Sequence, residues 1–180
     1  MKNNKIYLSV FFIFLFNIIG AVALCFPSLR EVILKLTSLN LLLILGMFLY
    51  ANNDFSLSFL KTILVVFIIG YFIEVLGVRF KFIFGEYYYG ETLGLQILNT
   101  PLIMGVNWLT LSVSTFGIAA YIFKPKILIV IAASALMVLT DMLIEPISAS
   151  LDFWVQAKQA GVKRIVIAGS CFEYGKSAER

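Results

Sequence analysis

The segment "LKTILVVFIIGYFIEVLGV", residues 60–78, decides the fold class. It is an almost unbroken apolar run, and a helix needs about 20 mostly apolar residues to span a bilayer. Four other runs share this character, at residues 6–26, 32–50, 101–123 and 126–145. The runs are continuous, whereas the strands of a membrane barrel alternate apolar and polar residues. The sequence therefore predicts an all-α, polytopic membrane helix bundle with about five transmembrane helices and a short non-membrane tail.

The composition limits the available chemistry. The chain is 61% hydrophobic and only 13% charged, and it contains no histidine. This excludes histidine-rich iron and zinc sites and a histidine general base. The two cysteines, Cys25 and Cys171, give neither a metal-ligand spacing nor a disulfide framework. We expect no metal and no cofactor, and acid–base work must fall to Asp, Glu, Tyr or Lys.

The charge pattern points to a lipid bilayer and not to nucleic acid. The net charge is +4, but the basic residues are spread over loops and the tail without forming a patch. Their distribution favours a cytoplasmic N-terminus. The sequence "AVALC" at residues 21–25 resembles a processed signal, but the apolar run before it is longer than a typical signal core. We expect an uncleaved first helix.

One carboxyl group lies deep in the third apolar run. Gly70, Tyr71 and Glu74 fall on one helical face, at positions i, i+1 and i+4. A glutamate buried in hydrocarbon is costly and is usually functional or paired. Alternatively, Glu74 lies at the headgroup level, because Arg79 follows five residues later.

The fourth run, predicted to begin at Pro101, carries one polar and small stripe. Its members recur at steps of three and four residues: Asn107, Thr110, Ser114, Gly117 and Tyr121. Such a stripe either lines a pocket or allows close helix–helix packing.

The fifth run ends with two acids. Asp141 and Glu145 share a helical face. Repulsion and desolvation both favour the protonated form of one of them. Pro146 should mark a helix end or a kink. Alternatively, both carboxylates are solvated among the lipid headgroups.

The segment "FGEYYYGETLG", residues 84–94, is unusually rich in ionisable and aromatic groups. Its three glycines, at positions 85, 90 and 94, allow sharp turns, so it could fold back as a lid over a membrane-surface pocket. Three consecutive tyrosines cannot all face one way; if the backbone is extended, Tyr87 and Tyr89 line the pocket together. An interfacial aromatic belt is the alternative.

The residues after position 155 are more polar than the rest of the chain, which suggests a membrane domain at residues 1–155 and a polar tail at 156–180. Within it, "VIAGSCFEYG" resembles a strand of nucleotide-sugar epimerases of the short-chain dehydrogenase type. The glycine-rich turn and the Tyr-xxx-Lys pair of that family are missing. A frameshift, a gene fusion or a mis-joined sequence would explain such a foreign or truncated fragment.

Three motifs give residues 60–154 a wider resemblance. They are "EVLGVRFKFIFGEYYYGETLG", "PLIMGVNWL" and "LTDMLIEPISASLDFW". In this order they resemble the carotenoid biosynthesis membrane family, whose characterised members include hydratases of γ-carotene-type and bacterioruberin-type precursors. The chain departs from the family after Trp154. The resemblance implies a carotenoid polyene as substrate, the cytoplasmic membrane of a prokaryote as location, and other carotenoid biosynthesis enzymes as partners.

The resemblance also implies a reaction, the addition of water across the terminal C1′–C2′ double bond of an acyclic end group. An acid would protonate C2′ and leave a tertiary cation at C1′, which water then attacks. The proton donor would be Asp141, Glu145 or Glu74, and Glu86 would be the base. Asn107 would orient the water. The aromatic residues that would bind the substrate and stabilise the cation are Tyr71, Tyr87, Tyr88, Tyr89 and Trp108.

Two other functions fit the same residues. Glu74, Asp141 and Glu145 could form an intramembrane relay in a proton- or solute-coupled transporter. Many transporters contain an internal repeat, and none is evident here. A non-catalytic scaffold for carotenoid enzymes is the second alternative.

Overall fold

The computed structural model describes residues 2–52, 55–80 and 89–150. Five helices and one small hairpin make up this part of the chain. The helices are α1 (Lys2–Leu24), α2 (Pro27–Ala51), α3 (Leu57–Phe80), α4 (Ile103–Ile122) and α5 (Lys126–Ser150). Between α3 and α4 lie a short 3-10 turn (Glu91–Leu93) and the antiparallel strands β1 (Gln96–Ile97) and β2 (Thr100–Pro101).

All five helices are long and apolar enough to cross a membrane. Their outward faces carry large apolar side chains, such as Phe14, Leu39 and Leu143, which are 65%, 60% and 73% exposed. In water such surface would be unfavourable, whereas in lipid it needs no cover. The chain is therefore an integral membrane protein, and the predicted helix bundle is confirmed.

Two prolines show where simple sequence rules hold and fail. Pro27 takes the first turn of α2, where its missing N–H would have had no partner. Pro146 does not end α5, which continues to Ser150. The prediction of an end there was wrong. A proline inside a helix forfeits one backbone hydrogen bond, and neighbouring turns can carry the helix through.

The start of α4 also differs from the prediction. The helix begins at Ile103, because Pro101 belongs to β2. The backbone N–H of Leu102 donates to the carbonyl of Leu95 at 2.9 Å, which closes the hairpin before the helix starts. Leu98 and Asn99 form the two-residue turn and both have positive φ, 55° and 61°.

The core lies where α3, α4 and the segment between them meet. Its buried members are Val78, Tyr89, Leu93, Ile103, Met104 and Val106. Leu41 and Leu45 of α2 pack against this cluster, as does Phe67 of α3. α1 packs on α2, where the Ser9 hydroxyl donates to the carbonyl of Met47 at 3.1 Å. α5 packs on α4.

Candidate functional site around Glu74

Glu74 is a buried carboxyl group on α3. Its side chain is only 5% exposed, and it lies about six residues, roughly 9 Å, inside the end of the helix at Phe80. It shares the buried face of α3 with Gly70 and Tyr71, as the sequence predicted. Burial of a carboxyl group is unfavourable unless its oxygens are hydrogen-bonded. The burial favours the paired interpretation over a solvated carboxylate.

Each oxygen of Glu74 accepts a hydrogen bond from an aromatic side chain. The Tyr89 hydroxyl donates to Oε1, in a short contact. The Trp108 indole N–H donates to Oε2 at 2.7 Å. We call these three residues the Glu74 cluster. It joins α3, α4 and the segment that precedes β1.

The two hydrogen bonds differ in what they allow. An indole N–H can only donate, so Oε2 must remain an acceptor. A phenol hydroxyl both donates and accepts. Oε1 can therefore exist as a carboxylate oxygen that accepts from Tyr89, or as an acid O–H that donates to it. The cluster accommodates both protonation states of Glu74 without losing either contact.

Close approach of α3 and α4 brings Trp108 within reach of Glu74. A methyl group at Gly70 would lie 2.5 Å from Cβ of Trp108. A methyl group at Gly105 would lie 2.6 Å from the ring of Phe67. Real side chains do not tolerate such distances, so both helices need glycine at these positions. The two helices thus pack closely at the level of the Glu74 cluster.

Side-chain donors hold the segment that carries Tyr89. The Ser38 hydroxyl of α2 donates to the carbonyl of Leu93 at 2.9 Å, and the Gln96 amide donates to that of Gly90 at 2.8 Å. Gly94 has a φ of +83°, a conformation that favours glycine, so one of the three predicted sharp turns is present. Gly85 lies outside the described residues.

Tyr71 holds the hairpin from the side of α3. Its hydroxyl contacts the carbonyls of Ile97 at 2.6 Å and Thr100 at 3.2 Å. Thr100 is fully buried. This role differs from the predicted contact with substrate, which stays a prediction.

Of the other predicted residues, Asn107 and Asp141 lie within the described part of the chain. Asn107 is half-buried on α4 beside Trp108, and Asp141 is half-buried on α5, which packs on α4. Glu86, Tyr87 and Tyr88 lie outside the described residues, and so does the side chain of Glu145. Their roles stay predictions. Within residues 2–52, 55–80 and 89–150, no group of three or more acidic or cysteine side chains could hold a metal ion.

The polar stripe of α4 borders grooves that lie away from the cluster. One groove of about 420 Å³ is lined by Ser114, Gly117 and Tyr121 together with Phe48 of α2. A second, of about 210 Å³, lies between α1, α2 and α4 and includes Thr110. A methyl group added at Gly117 would meet no atom of the described residues within 4 Å, so among these residues Gly117 does not serve close packing.

Sequence reasoning missed the elements that hold the Tyr89 segment. Residues 32–50 were predicted only as an apolar span, yet Ser38 of α2 contacts a residue 55 positions away. The hairpin was also missed. The signals were weak: one hydroxyl in an apolar run, and one Asn-Thr-Pro sequence after Leu98.

Comparison with known protein families gives one result. A family described as carotenoid biosynthesis protein matches residues 35–163. The match includes the whole Glu74 cluster and extends past Trp154, where the sequence had been expected to depart from the family. No curated protein and no solved structure matches the chain. Because the match covers well over half of its length, the chain belongs to the carotenoid biosynthesis protein family.

Proposed function

We propose that the protein adds water to the terminal C1′–C2′ double bond of an acyclic carotenoid end group. The observation that carries this proposal is the Glu74 cluster, a buried carboxyl group held between a phenol and an indole. Membership of the carotenoid biosynthesis family supports a polyene as the substrate.

The reaction begins with a proton. Glu74 in its acid form gives the proton on Oε1 to C2′, and the positive charge develops on the tertiary carbon C1′. The two donors to Glu74 stabilise the carboxylate that remains. Water then bonds to C1′ and loses a proton, which gives a tertiary alcohol.

The cation needs stabilisation that does not trap it. The faces of Tyr89 and Trp108 attract a nearby cation, by about 2 kcal/mol each when water is excluded. Both rings are joined to Glu74 by hydrogen bonds, which supports a place for them next to the acid that delivers the proton. An aromatic setting around one acid suits this chemistry better than a solvated carboxylate would.

The test is expression in a host that makes lycopene or γ-carotene, with mass analysis for the gain of one water. Glu74→Gln keeps the shape of the side chain but removes the acid, so we expect product to fall by about 10²-fold or more. Glu31→Gln is the matched control, because Glu31 is an exposed carboxylate that pairs with Lys35 on α2.

Two outcomes would contradict the proposal. If the wild-type protein yields no hydrated carotenoid but conducts protons in liposomes without carotenoid, the transporter alternative holds. If Glu74→Gln keeps its product while Asp141→Asn or Glu145→Gln loses it, the proton donor lies on α5.

A further inference from the structure

We propose that Tyr89 is the proton-relay residue of the site, which returns to Glu74 the proton that the attacking water releases. This inference rests on the proposed function. It concerns a step that any such reaction requires, because a buried acid that has given up its proton must regain one before the next turnover.

Of Tyr89 and Trp108, only Tyr89 can carry out this step. Trp108 donates through an indole N–H, which has no lone pair available to accept a proton. Tyr89 contacts Oε1 through a hydroxyl that accepts as well as donates. It can take a proton on its oxygen as its own proton passes to Glu74.

The position of Tyr89 suits a relay. Its side chain is buried at 9% exposure, so the proton does not pass through bulk water at this point. Its segment is held just before the 3-10 turn by the Gln96 amide on Gly90, and at the last residue of that turn by the Ser38 hydroxyl on Leu93. A hydroxyl that moved freely would lose its alignment with Oε1.

The proton balance closes with one carboxyl group. Glu74 gives a proton to C2′, and water bonds to the resulting cation at C1′. The oxonium formed there gives one proton to the Tyr89 oxygen, while the Tyr89 hydroxyl proton moves to Oε1. One water is consumed, Glu74 is restored as an acid, and neither an oxidant nor a second carboxylate is needed.

The experiment measures proton exchange directly, in protein reconstituted in lipid nanodiscs. After transfer to D2O, infrared spectroscopy follows the C=O band of the protonated Glu74 carboxyl, identified by its loss in Glu74→Gln. We expect Tyr89→Phe to slow the exchange by about 10²-fold, because it removes the hydroxyl and keeps the ring. Tyr121→Phe is the matched control, since it removes the hydroxyl of a tyrosine on α4 that is 90% exposed and lies outside the Glu74 cluster. It should exchange at nearly the wild-type rate.

A second substitution covers the case in which Tyr89→Phe does not fold. Replacement of Tyr89 by 3-fluorotyrosine keeps the hydroxyl and makes it more acidic, so the exchange rate should change. Equal rates in wild type, Tyr89→Phe and Tyr121→Phe would overturn the proposal. So would an unchanged rate with 3-fluorotyrosine, or the absence of a protonated Glu74 band at every pH at which the protein stays folded.

The outcome is independent of hydratase activity. A wild-type protein that makes no hydrated carotenoid refutes the proposed function, while the exchange rates still decide whether Tyr89 relays protons to Glu74. Conversely, wild-type exchange in Tyr89→Phe would remove the relay and leave the proposed function standing.

Discussion

The inner pair, α3 and α4, and the outer helices, α1, α2 and α5, are built from similar residues but buried very differently. The apolar stretch of α3 has a mean hydropathy of 2.3, against 2.4 for α1, 2.2 for α2 and 2.5 for α5. Yet 33% of the residues in this apolar stretch of α3 are buried, against 11% in α1, 0% in α2 and 6% in α5. In α4 the buried share is 39% at a mean hydropathy of only 1.4. Mean hydropathy thus identifies which helices can span the membrane, whereas other features determine which helices pack against each other.

Glycines show what those features are. Gly70 and Gly105 of the inner pair sit directly against Trp108 and Phe67. A methyl group added at Gly20 or Gly46 of the outer helices would meet nothing within 4 Å in the part of the chain that the structure describes. Helices in lipid gain no hydrophobic advantage from pairing, so close packing and polar contacts decide which pairs form. The inner pair has both.

The largest effect should come from Gly70→Ala. The added methyl group would overlap Cβ of Trp108, and forced shifts of this kind cost about 1–3 kcal/mol. Gly46→Ala is the matched control, and it should stabilise the protein by about 0.5–1 kcal/mol, because alanine favours a helix where there is room. Thermal unfolding in detergent measures both changes.

A second measurement follows the site itself. In a Trp154→Phe background, Trp108 is the remaining tryptophan, so its fluorescence reports the indole that donates to Glu74. The emission should change in Gly70→Ala and stay constant in Gly46→Ala. Equal stability changes in the two variants would show that the inner pair is no more tightly packed than the outer helices.

The next effect concerns the hairpin. Tyr71→Phe removes the hydroxyl that contacts the carbonyls of Ile97 and Thr100, at a cost of about 1–2 kcal/mol. Tyr121 is 90% exposed on α4, so Tyr121→Phe should have almost no effect on unfolding. If both variants unfold alike, the hairpin does not depend on α3.

A smaller effect should follow from Ser38→Ala, which removes the one described hydrogen bond from α2 to Leu93. We expect a loss of about 0.5–1.5 kcal/mol. Ser114→Ala on α4 is the control, since Ser114 is exposed. Faster proteolysis after Leu93 in Ser38→Ala would confirm that an outer helix holds the Tyr89 segment, whereas identical proteolysis would contradict it.

The helices and the buried face of α3 could be predicted from the sequence, because both follow from local spacing. Continuous apolar runs define the spans, and a rotation of about 100° per residue places Gly70, Tyr71 and Glu74 together. The partners of Glu74 could be guessed as residue types but not as contacts. The contact of Tyr89 with Glu74 depends on how Gln96 and Ser38 hold the backbone that follows Tyr89.

The hairpin could not be predicted, because its cause is distant. The turn at Leu98 and Asn99 contains no glycine, which would have indicated a turn in the sequence. Its carbonyls are held by Tyr71, which lies 26 residues before Ile97. The sequence around Pro101 does not include Tyr71, so it gives no sign of these contacts. Pro101 then resembles the first residue of a helix, which explains the error in the predicted start of α4.

The smallest effect tests the strain in this turn. Leu98 has a φ of 55° and is 60% exposed, so glycine there would lose little packing. The left-handed conformation costs a leucine about 1–2 kcal/mol, and glycine adds about 0.5–1 kcal/mol of entropy to the unfolded chain. Leu98→Gly should therefore raise the unfolding temperature slightly. Leu95→Gly, at a 72% exposed leucine without positive φ, should lower it. Opposite signs at two exposed leucines of one segment would place the strain at the turn, because only Leu98 of the two has the left-handed conformation. A decrease in both variants would remove that explanation.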